Sequence, residues 1–350
     1  MSAGTGSADE IAGLPIDAER VGSYLEDRIP EFHGPWTAVR FPGGQSNPTY
    51  LLRAAGCNYV LRRKPPGALR DSAHAIDREF RVLAALAADG SVPVPTPRLY
   101  CADAEIIGTP FYVMDHVAGR NFWDLTLPEV PRAERRDCFD SMNSTIAALH
   151  RVDFAAAGLA DFGRPGDYFR RQIARWSRQY LADEAAGRIE ALDQLLEWLP
   201  ANIPPGEDAA IVHGDFRCDN MIFHATEPRV VAVLDWELST IGHPLADFTY
   251  HLLMYRMPTL GVAGLLGQDL EALNIPSERE QVAAYCARTA RPGIDALHFY
   301  FAFNFFRLAA IFHGIRGRVL RGAASSPRAR EYSAAADRVA ELGWREAQRG

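Results

Sequence analysis

The stretch IVHGDFRCDNMIFH, residues 211–224, places His213, Asp215, Arg217, Asp219 and Asn220 between short apolar runs, where simple packing would need only one turn. The apolar runs 221–223 and 230–234 are separated by HATEPR, residues 224–229, which predicts a β-hairpin. Asp215 and Asn220 stand just before its first strand and Asp235 just after its second. An antiparallel hairpin brings its open ends together, so these three side chains are expected to converge at one mouth.

Two carboxylates and an amide oxygen are hard-oxygen donors, the type Mg²⁺ takes while it keeps waters and substrate phosphates as its other partners. The order Asp-x4-Asn, strand hairpin, Asp is also the order used in phosphoryl transfer. There one Asp orients the attacking hydroxyl, and the Asn and the second Asp hold metal. For either residue of Asp-x4-Asn alone, the competing reading is a turn that hydrogen-bonds its own backbone.

Around this stretch the chain is 350 residues long, enough for two domains or one large two-lobed unit. Its 48% hydrophobic content, with 10% aromatic residues, matches a soluble globular protein. With 37 Lys and Arg against 44 Asp and Glu the formal charge is −7, which argues against a nucleic-acid partner. Cys57, Cys101, Cys138, Cys218 and Cys286 are scattered without metal-ligand spacing and read as reduced thiols of a cytoplasmic protein. The first twenty residues have no apolar run of the secretory type. The most apolar segment, LHFYFAFNFFRLAAIFHG from Leu297, is broken by Asn304, Arg307 and His313, so a buried helix is expected there and no membrane span.

Upstream, a polar tail leads to a short helix over residues 18–28, and residues 36–64 read as three antiparallel strands. The first two strands would be joined by Gly43-Gly44 and the next two by Ala55-Gly56. SAHAIDREFRVLAALAAD, residues 72–89, carries Ile76, Phe80, Leu83 and Ala87 at helical spacing, with Glu79 at the edge of the stripe. Two further strands end in FYVMDHVAGR. Beyond Gly119 helices are predicted over 131–150, 167–186, 188–199, 244–257, 278–290, 295–320 and 327–347, interrupted only by the hairpin. The organisation is therefore a tail and short helix (1–35), a small strand-rich lobe (36–118) and a large helical lobe (119–350), an α+β chain.

HGDFRCDN followed by VLDWELSTIGHPLADF, residues 213–220 and 233–248, resembles the aminoglycoside phosphotransferase and choline kinase branch of the protein-kinase-like superfamily. The likeness runs from about Phe41 to the last helix. It implies a two-lobed kinase-like fold, with a small antiparallel-sheet N-lobe and a large helical C-lobe, that uses ATP and Mg²⁺. By resemblance Asp215 is the catalytic residue, Asn220 and Asp235 bind Mg²⁺, and His213 and Asp247 brace the loop.

An ATP phosphate needs a cation held by a carboxylate. Strand NYVLRRK offers Arg62, where family kinases often carry Lys, and the following helix offers Glu79. Alternation puts Val60 and Arg62 on one face, which favours Arg62 over Arg63. FPGGQSNPT would cover the phosphates, with Gly43 and Gly44 allowing close approach and Gln45, Ser46 and Asn47 supplying donors; a plain hairpin turn is the alternative. Adenine would lie against Met114, Asp115 and Val117 under Val60, although Met114 and Val117 also suit core packing.

Only WELSTIGHPLA separates Asp235 from Asp247, too short for a peptide-docking platform, so the acceptor is expected to be a small molecule. Arg170, Arg171, Arg175 and Arg178, with Arg316, Arg318 and Arg321, suit an anionic acceptor, with Arg171 and Arg175 as the substrate candidates. Arginines that cover apolar faces or pair with acids are the alternative. The Phe-rich run 299–306 suits core packing or an acyl pocket. SAHAIDREFRVLAAL, GTPFYVMDHVAGRNFWD and DFGRPGDYFRRQIARWSRQY, with the 213–248 stretch, are similar to kinase domains fused to, or encoded with, acyl-CoA dehydrogenases of the family member 10 and 11 type. That resemblance implies phosphorylation of a 4-hydroxyacyl-CoA hydroxyl in fatty-acid catabolism, with an acyl-CoA dehydrogenase as functional partner. An aminoglycoside, choline or homoserine kinase, or a nucleotide- or CoA-binding module without turnover, are the rival expectations.

Overall fold

The computed structural model describes residues 18–41, 47–65, 76–260, 263–324 and 328–350. The predicted Gly43-Gly44 turn and the candidates Gly43, Gly44, Gln45 and Ser46 lie outside them. The chain divides into two compact units, the first reaching Ala118 and taking in Ala232–Glu237, the second comprising Gly119–Val231 and Leu238–Gly350.

In the first unit, Ala18–Glu26 forms α1 and is followed by strands Thr37–Arg40 (β1), Thr49–Arg53 (β2) and Asn58–Arg63 (β3). Helix Ile76–Asp89 (α2), strand Pro97–Cys101 (β4), the single turn Ala104–Ile107 (α3) and strand Phe111–Asp115 (β5) complete it. The sheet order is β1-β2-β3-β5-β4, antiparallel throughout. Side chains alternate across a strand. Tyr59 and Leu61 therefore join Tyr50, Leu52, Phe111 and Val113 on the face that buries Val21 and Leu25 of α1. The α1 helix is thus part of this core, a consequence of its apolar residues spaced four apart.

Arg63 shares that face, where its Nε donates to Thr109 Oγ1 at 2.9 Å. Val60 and Arg62 point the other way, and register pairs Val60 with Met114 and Arg62 with Tyr112. The buried face of α2 is Ile76, Glu79, Val82, Leu83 and Leu86, while Ala87 is exposed and Phe80 half-buried. The stripe expected from hydrophobicity alone is therefore rotated, because Glu79, 1% exposed, is drawn inward by polar partners. Residues 232–237 are tied to this unit where Val233 N–H donates to Pro93 O at 2.8 Å.

The second unit is helical around two small sheets. Its helices are Arg135–Arg151 (α4), Tyr168–Ala182 (α5), Glu190–Ala201 (α6), Pro244–Arg256 (α7), Leu270–Leu273 (α8), Glu278–Arg288 (α9), Leu297–Leu320 (α10) and Ala329–Ala347 (α11). Ala210–Val212 (β6) pairs antiparallel with Thr240–Gly242 (β9), a pair the expected organisation lacked because each strand is only three residues long. Met221–Phe223 (β7) and Val230–Val233 (β8) form the predicted hairpin.

Helix α10 packs on α5, α6, α7 and α11. Three of its polar residues bond to neighbours inside that packing. Asn304 Nδ2 donates to Ala246 O and Thr249 Oγ1, both at 2.9 Å, Arg307 donates to Gly214 O, and His313 Nε2 lies 2.7 Å from Gly187 O. Phe299, Phe301, Phe303, Phe305 and Phe306 are fully buried core. Among the described residues no helix is long and apolar enough to cross a membrane. All five cysteines are free thiols, and only Cys57 is exposed.

Candidate active site

Strand β6 delivers the chain to His213, Gly214 and Asp215, and three constraints fix this loop. Gly214 has φ +84°, and a Cβ there would stand 2.8 Å from Leu238 O, so only glycine fits. Asp247, in the first turn of α7, accepts from His213 N–H at 2.7 Å through Oδ2 and from Gly214 N–H at 2.8 Å through Oδ1. His150 Nε2 approaches the same carboxylate at 3.3 Å. Burial would raise the Asp247 pKa, but hydrogen bonding to His150 and the nearby His213 hold it below the ordinary value. From the other side, residues 119–121 clamp the following turn. Arg120 pairs with Phe223 through two backbone hydrogen bonds of 2.8 Å, and Asn121 Nδ2 donates to Asp219 O and Met221 O. A Cβ on Gly119 would stand 2.2 Å from Phe223 O, which explains the glycine.

Asp215 is surrounded by donors. Tyr250 Oη donates to its Oδ1 at 2.8 Å, Asn220 Nδ2 donates to its Oδ2 at 3.1 Å and to its backbone O at 2.9 Å, and Arg217 Nε forms an ion pair with Oδ1 at 3.1 Å. Arg217 reaches on to Asp219 Oδ2 at 2.9 Å. Burial pushes the Asp215 carboxyl up, but Arg217 and the Tyr250 hydrogen bond outweigh it and hold the pKa below the usual carboxylate range. A carboxylate so held is anionic at neutral pH. It can accept a hydrogen bond from an alcohol and orient it, while being a weak base in the ground state.

The first unit presents a second constellation. Arg62 Nε stands 2.9 Å from Glu79 Oε2, and its Nη2 stands 2.8 Å from Asp235 Oδ1 and 3.3 Å from Glu237 Oε2. Glu79 also accepts from Asn47 Nδ2 at 2.8 Å and from Tyr112 Oη at 3.0 Å. Asn47, expected to face phosphate, is committed to Glu79. Burial raises the Glu79 pKa to about 7 against the opposing pull of Arg62. For Arg62 burial favours the neutral form, but Glu79 and Asp235 overcome it and keep the guanidinium charged. Asp235 follows β8 with φ +65°, a left-handed conformation that Asp tolerates better than most residues. Among the expected adenine contacts, Asp115 pairs its carboxylate with Arg98 at 2.7 Å and donates its N–H to Thr96 O, and Val60, Met114 and Val117 are buried or half-buried.

Of the three side chains expected to converge, Asp215 and Asn220 are brought together in the second unit. Asp235 belongs to the first unit, where Arg62 meets its carboxylate. Among the described residues no group of three or more His, Cys, Asp or Glu side chains is arranged to hold a metal. The donor types still suit a hard cation. Asn220 commits its Nδ2 to Asp215 and keeps Oδ1 for another partner, and Asp235 offers a carboxylate.

The second unit also holds a cavity of about 630 Å³, whose lining includes Arg217, Asp219 and Tyr250, the first and last being partners of Asp215. Neither Arg171 nor Arg175 is in that lining. Arg171 donates to the backbone oxygens of Gly166 and Arg164, and the Arg175 guanidinium sits 5.1 Å from the Trp176 ring centre. The second basic cluster is offset by acids, Arg316 by Asp337 and Arg321 by Asp183. Tyr250 and Arg307 were missed at the level of sequence. Tyr250 was detectable in principle, lying three residues after Asp247 and so on the same face of α7.

Residues 37–300 match the phosphotransferase enzyme family. The chain is 45% identical over 334 residues to acyl-CoA dehydrogenase family member 10 of Mus musculus, covering 95% of this chain and 31% of that protein. It is 44% identical over 340 residues to acyl-CoA dehydrogenase family member 11 of Gallus gallus, covering 94% of this chain and 43% of the relative. The chain thus spans less than half the length of these curated relatives. A crystal structure from Ralstonia eutropha JMP134, assigned to the aminoglycoside phosphotransferases, superposes with TM-score 0.87 at 45% identity, covering 95% of this chain and 98% of the other. The small antiparallel sheet and the helical remainder are those of the protein-kinase-like phosphotransferase fold. By the extent of this match, the chain belongs to the phosphotransferase enzyme family.

Proposed function

We propose that the protein is an ATP- and Mg²⁺-dependent small-molecule kinase that transfers the γ-phosphoryl group to an alcohol, a hydroxyacyl-CoA of the 4-hydroxy type in fatty-acid catabolism. The observation that carries the proposal is Asp215, an anionic carboxylate fixed by Tyr250, Arg217 and Asn220 on a loop braced by Asp247. Asp215 accepts the hydrogen bond of the acceptor hydroxyl and aims its oxygen at the γ-phosphorus. A new O–P bond forms, the β–γ bridging bond breaks, ADP leaves, and the hydroxyl proton passes to the Asp215 carboxylate and then to solvent. Asn220 and Asp235 would hold Mg²⁺, which when bound offsets the charge of the phosphates. Arg62, anchored by Glu79, would meet a phosphate through its guanidinium.

ATP use is supported by a solved relative of the same fold, a thermostable mutant of aminoglycoside phosphotransferase APH(4)-Ia in ternary complex with AMP-PNP and hygromycin B. It is 15% identical, with TM-score 0.60, and covers 93% of this chain and 98% of that one. The names of the curated relatives, acyl-CoA dehydrogenases, support an acyl-CoA as the acceptor class, and an acyl-CoA dehydrogenase is then the functional partner.

The test is ATP consumption over a panel of hydroxyacyl thioesters, choline, homoserine and aminoglycosides. Asp215→Asn should lower turnover of the preferred acceptor by at least about 10²-fold and leave ATP binding intact. Near-parental turnover in Asp215→Asn would remove Asp215 from its role. ATP binding without turnover of any acceptor in the parent protein would leave a nucleotide-binding module.

A further inference from the structure

We infer that the cavity of the second unit holds the hydrocarbon chain of the acceptor on one side of its reacting hydroxyl, and that Met254 and Met257 set the chain length accepted. The inference rests on the kinase proposal and adds where the acceptor lies and what chemistry it presents.

The cavity is laid out along α7. Asp247 braces the loop, Tyr250 touches Asp215, and Leu253, Met254 and Met257 continue the same side of the helix into the cavity wall. From Tyr250 to Met257 this track runs about 10 Å at the helical rise per residue. Phe122, Leu125 and Leu308 add further apolar wall. Residues 263–266 lie back against that end. Leu265 N–H donates to Met254 O at 2.7 Å and Leu266 N–H to Met257 O at 3.1 Å. Gly264 permits the return, since a Cβ there would stand 2.0 Å from Met257 O.

Polar groups also line the cavity at Thr259 and Gln268, but the polar part next to Asp215 is identified by Arg217 and Tyr250, which belong both to the lining and to the Asp215 contacts. Asp215 itself is not part of the lining, so the inferred pose sets the hydroxyl at Arg217 and Tyr250, next to Asp215, while the chain attached to it runs along the apolar wall. Of the three acids in the lining, Asp124, Asp219 and Glu331, two are already committed, which favours this occupant over a polycation. Asp219 is ion-paired with Arg217, and Asp124 is turned onto Thr126, accepting from its N–H at 2.9 Å and its Oγ1 at 2.8 Å. Thioether side chains adapt to a flexible chain better than branched ones do. Trp123, 61% exposed and also in the lining, is placed to report occupancy.

The test uses the full chain and 4-hydroxyacyl thioesters that differ only in the number of methylenes beyond the hydroxyl. Each added methylene should raise kcat/KM about fourfold until the cavity is filled. Tryptophan fluorescence should show the same ordering without ATP, in both the parent and Asp215→Asn. Met257→Trp, which fills the cavity, should flatten the series, and Met254→Ala should move the optimum to longer chains, each checked for an intact urea-unfolding transition. Turnover without dependence on chain length overturns the inference and leaves the kinase proposal standing. Length-dependent binding without phosphorylation of any member sinks the kinase proposal and leaves the cavity assignment. A preference for amino alcohols over acyl chains of equal length, or a series unmoved by both folded Met variants, overturns the inference.

Discussion

Asp247→Asn isolates the brace under the Asp215 loop. The carboxylate takes two backbone N–H groups on separate oxygens, His213 at 2.7 Å and Gly214 at 2.8 Å, in a site only 3% exposed. An amide of the same shape has one acceptor oxygen and one NH₂ group. Whichever way it turns, one backbone N–H faces a donor. The change therefore loses one charge-assisted hydrogen bond and strands one buried donor, for a combined cost of about 2–4 kcal/mol. Asp247→Ala strands both N–H groups and should cost more. The assay is urea unfolding of parent and variants, with ATP consumption measured at a temperature where all are folded. The loop that loosens is the one holding Asp215, so kcat in Asp247→Asn should fall by at least about tenfold. An Asp247→Asn unfolding free energy within about 0.5 kcal/mol of the parent, at equal m-value, would refute the brace.

Two further predictions concern other parts of the molecule. Burial depresses the His251 pKa to about 4 from the ordinary 6.5, so the folded state takes up its proton later than the unfolded chain. The stability this represents is complete above pH 6.5 and is lost as pH falls toward 4, on the order of 2–3 kcal/mol. His251→Gln should therefore narrow the difference in unfolding free energy between pH 7.5 and 4.5, and an unchanged difference would exclude His251 as a source of acid sensitivity. In the first unit, Arg62→Lys replaces a guanidinium that meets Glu79 through Nε and Asp235 through Nη2 by a single nitrogen. It should cost about 1–2 kcal/mol, and Arg62→Ala about 3–5 kcal/mol, by chemical denaturation. Equal stability of the Lys variant and the parent would show that one contact suffices.

Local pattern determined a definite share of this protein. Periodicity two put Val60 and Arg62 on the face opposite Tyr59 and Leu61, and the runs 221–223 and 230–234 specified a hairpin, because strand alternation and turn closure are governed by near neighbours. Asp215 and Asn220 could be paired for the same reason, being five residues apart across one turn. Other features depended on long-range packing. The buried face of α2 turned toward Glu79 because Arg62, Asn47 and Tyr112, all distant in sequence, supply its partners. Arg307 meets Gly214 from 93 residues away, and Tyr250 meets Asp215 from 35. Arg171, which charge alone assigned to an anion, is held by backbone oxygens instead. A residue's type limits which bonds it can make, but which of them it makes depends on the donors and acceptors that packing brings within about 3 Å, and those come from remote segments.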